Sequence, residues 1–274
     1  MELKDQLTQA RILLNRTEKI SIPKEVLELR QLLANDEFAS AQEIIHIIGQ
    51  NAILAGEIVQ AANLPSMHPK QYRVIHTIHD AIDILGTRRL KNLVTAMSFK
   101  LGLENFAHPQ LIKHSIKVAE TCSEIAKASD IISGDGAYLL GLFHNIGAIM
   151  LTKLDEGYET IFAKSLSTPF VTTPLELEAY GTTHGMIGVL VAEEWNLDSP
   201  FKKTMILHHE PNLDTIRNSD LKQLVALVQL ANGIVSEQVF KVYKTPELKE
   251  MMNRCQGLLN LNDAQMTDIY KHVV

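Results

Sequence analysis

Gly141-Leu-Phe-His-Asn-Ile-Gly147 sets a histidine and an asparagine side by side between two glycines. The segment reads as helical, and neighbours on a helix differ in direction by about 100°, so His144 and Asn145 can flank one pocket without stacking on each other. Glycine inside a helix loosens it, so Gly141 and Gly147 are better explained by close approach of another helix or a ligand than by helix propensity.

Three more stretches carry histidines that could meet this pair. His114 lies in a long helical segment opened by Pro109, where Ile112, Ile116, Ala119, Ile125 and Ala126 recur at helical spacing. Its stripe continues through Val118, Thr121 and Ile125, which points the imidazole inward; on its own it reads as a core histidine. His184 follows Gly181-Thr-Thr at the start of the apolar helix Met186 to Trp195, where capping and ligation are equally compatible with its position. His208 and His209 end a helix opened by Ser199-Pro200, and a protonated histidine would favour that negative dipole end. This reading accounts for one histidine better than for two. Imidazole is a common ligand for zinc, iron and nickel, whereas a two-metal hydrolytic site also wants carboxylates to bridge the ions. The chain offers imidazoles here without matching acids.

Elsewhere the signals are helical. Ser40-Ala-Gln-Glu43 ahead of Ile44, Ile45, Ile47 and Ile48 is a capping box, and Thr77-Ile-His-Asp80 marks a helix expected to stop at Gly86. Thr173-Pro174-Leu-Glu176 combines a cap, a first-turn proline and an acid near the positive helix end. Alternating strand patterns are absent. The expected fold is all-α, a multi-helix bundle of roughly a dozen helices in two packed lobes. Residues 1–103 form the first lobe and 104–274 the second, with a soft boundary between Lys100 and His108. The tail from Pro246, with Leu248, Met251, Met252, Leu258, Leu259 and Leu261, supplies one or two helices that close the second lobe.

Composition narrows the class further. The 274 residues are 46% hydrophobic and 21% charged, enough for a sizeable core. A net charge of −6 offers no general attraction for nucleic acid. No run approaches the roughly 18 to 20 uninterrupted apolar residues of a membrane span, and the N-terminus lacks a secretory pattern, so a cytoplasmic location is expected. Cys122 and Cys255 lack paired spacing and read as buried thiols. Arg88, Arg89 and Lys91 open the helix after Gly86 and could meet a phosphate or an acidic partner, although such a face is more often simply solvated. Leu64-Pro-Ser-Met-His-Pro69 reads as a connector, with a docking loop as the alternative.

Taken in order, these segments resemble the HDOD family, the HD-related output domains of bacterial signalling proteins, which derive from HD-type metal-dependent phosphohydrolases. The resemblance covers about residues 20 to 240. In the first lobe it rests on Gln50-Asn-Ala-Ile-Leu-Ala-Gly-Glu-Ile-Val-Gln-Ala-Ala-Asn63 and on His79 to Val94, which contains the family's Ala-Ile-x-x-Leu-Gly pattern. In the second it rests on His114-Ser-Ile-Lys-Val-Ala, Gly141 to Gly147, Thr183-His-Gly-Met-Ile-Gly188 and His208-His-Glu-Pro211.

The resemblance implies a second lobe of HD-phosphohydrolase type, with His114, His144, His184, His208 and His209 around a former metal pocket. It also places Asn145 and Asn232 where active phosphohydrolases carry aspartates. His208-His-Glu-Pro looks like the start of the HD-GYP signature of cyclic dinucleotide phosphodiesterases, but the Gly-Tyr-Pro portion is missing. Asn63 is followed by Leu-Pro where many members have serine. The expectation is a cytoplasmic signalling module with a degenerate metal site, more a regulator than an enzyme, binding a protein partner or small ligand and open to homodimer formation. The alternative is a divergent phosphohydrolase acting on a phosphate ester or a nucleotide, cyclic ones included. No cofactor is required by the first reading; a divalent metal (Zn, Fe, Mn, Ni or Mg) is the one the histidines would accept.

Overall fold

Apolar residues recurring at helical spacing build fifteen α-helices, and no strand forms among the described residues. The structure is a computed structural model that describes residues 2–17, 20–35, 40–67, 74–103 and 108–273. Helices α1 (Leu3–Leu14), α2 (Lys24–Asn35), α3 (Ala41–Gly49), α4 (Ala52–Ala62) and α5 (Ile78–Leu103) precede α6 (Pro109–Ser129), α7 (Gly134–Phe143) and α8 (Ile146–Leu154). Then follow α9 (Tyr158–Ser165), α10 (Thr172–Tyr180), α11 (His184–Glu194), α12 (Ser199–Leu207), α13 (Ser219–Gln238), α14 (Pro246–Leu258) and α15 (Asp263–Val273). Part of the expected boundary between lobes, residues 104–107, lies outside the described residues, as do His68 and Pro69 of the candidate docking loop.

Of the caps expected from the sequence, those at Ser40 and Thr77 form, whereas Thr173 lies inside α10, which has no side-chain cap. Ser40 and Glu43 form a reciprocal capping box, and Asp80 accepts from the Thr77 N–H at 3.1 Å while the Thr77 hydroxyl accepts from the Asp80 N–H at 3.0 Å. Gly86 breaks α5 with φ 75° and ψ 165°, a left-handed backbone that a residue with a Cβ adopts only under strain. Asn63 has a role that sequence reasoning missed. Its side-chain N–H donates to the Ile75 carbonyl and its Oδ1 accepts from the Ile75 N–H at 2.9 Å, clasping both ends of the connection to α5.

Two apolar cores share α6. Leu111 and Ala119 enter the larger one, which gathers buried residues of α1 to α5, α7, α8 and α11. Val118, Cys122, Ile125 and Ala126 enter the second, built on α13, α14 and α15. Phe99 of α5 stacks on Phe143 of α7 at 3.8 Å between ring centroids, and Trp195 meets both rings edge-on. Across the same α5–α7 contact, Asp135 is almost fully enclosed and accepts from Arg89 Nε and from Asn92 Nδ2, each at 2.7 Å. Ser66 and Met67 are buried rather than presented as a docking loop, with Ser66 Oγ 2.7 Å from Ser123 Oγ.

The stretch Gly134–Leu154 has the length and apolarity of a membrane span, yet 89% of its most apolar window is buried inside the protein, where it forms α7 and α8. The two glycines of the central motif explain how those helices pack. A Cβ on Gly141 would lie 2.7 Å from Ala119 Cα of α6, and one on Gly147 would overlap the His184 carbonyl of α11. Both are sites of backbone-to-backbone approach, as the motif predicts.

Gly147→Ala should therefore force α8 from α11 and lower the free energy of unfolding by about 3 kcal/mol or more. Gly56→Ala, in an exposed part of α4 with open space around it, should change stability by no more than about 1 kcal/mol, in the stabilising direction. Chemical denaturation of the two variants checks the contrast.

Candidate functional site

His144 and Asn145 occupy the break between two helices rather than the interior of one. His144 is the C-cap of α7 and Asn145, at φ −106° and ψ 15°, precedes α8. The break turns both side chains toward α6, α11 and α13. His114 of α6 lies with its ring centroid 5.7 Å from that of His144, and its Nδ1 is 3.4 Å from Asn145 Nδ2. His184 opens α11, whose N-cap Thr183 accepts from the Met186 N–H. His208 is the C-cap of α12 and His209 follows it. The five histidines form one chain of ring contacts: His114 to His144, His144 to His208 at 5.2 Å, His208 to His184 at 4.9 Å and to His209 at 4.2 Å.

Hydrogen bonds assign the tautomers. A carbonyl can only accept, so His144 Nδ1 donates to Gly141 O at 2.6 Å and His208 Nδ1 donates to Met205 O at 2.8 Å. That leaves the lone pair of each neutral ring on Nε2. His184 Nδ1 meets the Oε1 of Glu176 at 2.6 Å, which likewise puts its lone pair on Nε2. The Nε2 atoms of His184 and His208 then face each other at 3.0 Å. Two lone pairs at that distance repel unless a hydrogen or a metal ion lies between them. Two imidazole nitrogens sharing one ion with bonds of about 2.1 Å stand about 3.0 to 3.4 Å apart.

Glu176 is the acid that the sequence reading placed at a helix end. Helix α10 begins at Thr172, after a 3₁₀ turn at Pro169–Val171, with no side-chain cap, and Glu176 turns inward, fully buried. Its Oε2 accepts from the His184 backbone N–H at 3.0 Å, and its Oε1 also accepts from the Tyr158 hydroxyl at 2.5 Å. A carboxylate behind a histidine fixes the ring's tautomer and orientation, the arrangement that supports metal-ligating histidines. The cluster thus has an acid, but one layer behind the imidazoles and not among them.

His184, His208 and His209 each offer a nitrogen, and the three lie within 4.8 Å of one another. Beside them a cavity of about 20 Å³ is lined by His114, Asn145, His208, His209, Gln229 and Asn232 among others. That volume holds about one water molecule or ion. His144 Nε2, His209 Nδ1 and Asn232 Oδ1 are buried with no protein hydrogen-bond partner within 3.5 Å, although the Asn232 side chain lies near enough to His144 to oppose the lowering of its pKa. Buried polar atoms of this kind call for a partner, and the all-imidazole donor set fits a divalent transition metal. Arg88 and Arg89 stand apart from this cluster. Arg89 is held by Asp135 and by the Met67 carbonyl at 3.1 Å, while Arg88 is exposed beside a separate cleft near the start of α7.

Burial moves the histidines away from the charged state expected of a helix C-terminal pair. Desolvation, and then the neighbouring His184, pull His144 from 6.5 down to about 4, against the opposing pull of the Gly141 carbonyl. Desolvation, with repulsion from neighbouring imidazoles second, also lowers His114, His208 and His209.

A sequence profile of the HDOD domain matches residues 20–211. An uncharacterized protein of Treponema pallidum (strain Nichols) is 26% identical over 249 residues, which are 85% of this chain and 45% of the relative. The chain therefore spans less than half the length of that relative. An HDOD domain protein of unknown function from Geobacter sulfurreducens superposes with a TM-score of 0.69 at 20% identity, covering 99% of this chain and 98% of that one. A candidate phosphohydrolase from Shewanella amazonensis SB2B superposes at 0.65 with 19% identity, covering 97% and 98%. At such identities the likeness is one of fold.

The lowered histidines make stability depend on pH. Each binds a proton more weakly folded than unfolded, so the stability they confer is complete above about 6.5 and is lost as pH falls toward the folded value. For His144 alone, between about 6.5 and 4, the loss is about 3 kcal/mol. Denaturant unfolding of the metal-free protein should show this decline, and a flat profile across that window would contradict the burial of a neutral His144.

Proposed function

Because the chain belongs to the HDOD family, we propose that it is a regulatory signalling module whose histidine pocket holds a single divalent cation for recognition and does not hydrolyse phosphate esters. The observation that carries this reading is a set of three imidazole nitrogens around one point, beside a small cavity lined by the amides of Asn145, Gln229 and Asn232 and by no carboxylate among its described residues. Glu176, engaged by His184 and Tyr158, is not free to bridge a second ion or to serve as a base. An all-nitrogen donor set favours zinc, iron or nickel over magnesium, which prefers oxygen. When bound, such an ion would supply a Lewis acid. His184 and His208 would ligate it through Nε2, with His209 as the third ligand and Glu176 orienting His184. The module's counterpart is then a signalling protein or a small ligand, and its setting the cytoplasm.

One observation favours a second reading. Three neutral imidazoles with room for a fourth ligand are also the donor set of some catalytic zinc sites that activate a bound water, and such a site would make the chain a divergent phosphohydrolase. Metal content after purification without chelator or affinity tag, measured together with turnover of phosphodiesters and nucleotides, separates the two. The regulatory reading expects about one ion per chain, lost in His208→Ala, and no turnover with either protein. Turnover that disappears with the metal would establish the hydrolase instead.

A double change, Asn145→Asp with Asn232→Asp, should raise metal affinity by at least about tenfold, because two carboxylates restore charge to a pocket that now offers neutral amides. Unchanged affinity in a metal competition assay would mean that neither side chain reaches the ion.

A further inference from the structure

A second cavity, of about 230 Å³, lies one layer of side chains from the histidine pocket. Its walls come from the start of α6, from α8 and α9, and from the segment after α13. Leu111, Phe162, Ala163, Leu166 and Phe240 make it largely apolar. Phe162 and Phe240 stand perpendicular, with centroids 6.4 Å apart. Each ring also lies against His114, at 5.3 Å and 5.6 Å. Leu166 lines both cavities, and His114 reaches Asn145. The aromatic pair that walls the second cavity is thus also the support of a wall of the first.

We propose that this cavity is a binding site for a neutral aromatic molecule of one or two rings carrying an N–H donor, and that its occupant is the small ligand of the regulatory module. The inference rests on the regulatory reading only for that last step. Size and shape select the ligand: an apolar cavity of about 150 Å³ admits benzene, so this one has room for a fused bicycle. Perpendicular phenyl rings offer both a face and an edge to a planar guest. Charge selects further. The mouth carries Glu159, 65% exposed on its side chain, whose Oε1 lies 2.9 Å from His108 Nδ1. A carboxylate there accepts from an N–H and repels an anionic guest such as a carboxylate or phosphate, opposed by Lys113, whose Nζ lies 5.9 Å from the centroid of the Phe240 ring. Through Phe162 and Phe240, an occupant would press on His114 and so bias the histidine pocket.

Indole is the probe, titrated into the full chain after metal removal, with the ring C–H resonances of His114 followed by NMR. Saturable binding that shifts His114 is expected. Ala163→Phe, which fills the cavity from an exposed position, should weaken it at least about tenfold. Phe240→Leu should weaken it as well, and supplies the comparison if thermal melting shows Ala163→Phe to be misfolded. Indole-3-carboxylate should bind at least about tenfold more weakly than indole. Absence of saturable binding, equal affinity in the folded variants, or equal affinity for the carboxylate would each overturn the proposal. The metal-free protein makes this readout independent of the metal reading, so failure of either is seen separately.

Discussion

The contact on which this fold and its site both depend is the approach of two backbones, α8 on α11, at Gly147. A side chain there would occupy the place of the His184 carbonyl, and without one the turn at His144-Asn145 comes to rest beside the start of α11. The next approach is of the same kind. Gly185 lies so close to α12 that an added Cβ would stand 2.6 Å from the Met205 carbonyl. That carbonyl is also the acceptor of His208 Nδ1. Two glycine contacts in succession therefore bring together histidines separated by more than sixty residues of chain, and hold them on helix ends instead of loops.

Burial then determines what the cluster can be. Away from water, imidazoles resist protonation, which leaves lone pairs available, while Glu176 adds the one carboxylate in hydrogen-bond contact with the cluster among the described residues. A buried negative charge beside facing lone pairs is stabilised by a cation, and the 3.0 Å separation of His184 and His208 suits one shared between them. The neutral amides at Asn145 and Asn232 leave no bridging charge for a second ion. Retained imidazoles and lost acids thus point the same way, to a pocket that recognises.

Much of the fold was legible because its signals are local. Capping boxes at Ser40 and Thr77 and the break at Gly86 follow from steric and hydrogen-bonding rules within a few residues, while Gly141 and Gly147 signal a close approach by lacking a side chain without naming its partner. The helical spacing of apolar residues around His114 also indicated its inward face. What was not legible depends on partners distant in sequence. Arg89 reads as a solvated or phosphate-seeking cation until Asp135, 46 residues away, is brought against it. Glu176 reads as a first-turn acid in the sequence, but α10 starts at Thr172, which carries Glu176 past the first turn, and the arrival of α11 supplies its buried partners. The kink between His144 and Asn145 was hidden because each residue is compatible with a continuous helix; tertiary packing sets the break. An acid eight residues before His184 was the signal that could have drawn attention to Glu176.

X-ray absorption at the metal edge of the loaded protein tests the one-ion pocket most directly. A first shell containing three imidazole nitrogens, with no metal-to-metal vector near the roughly 3.5 to 4 Å of two-metal sites, is the predicted result. A second metal at that distance, or a first shell of carboxylate oxygens, would contradict it.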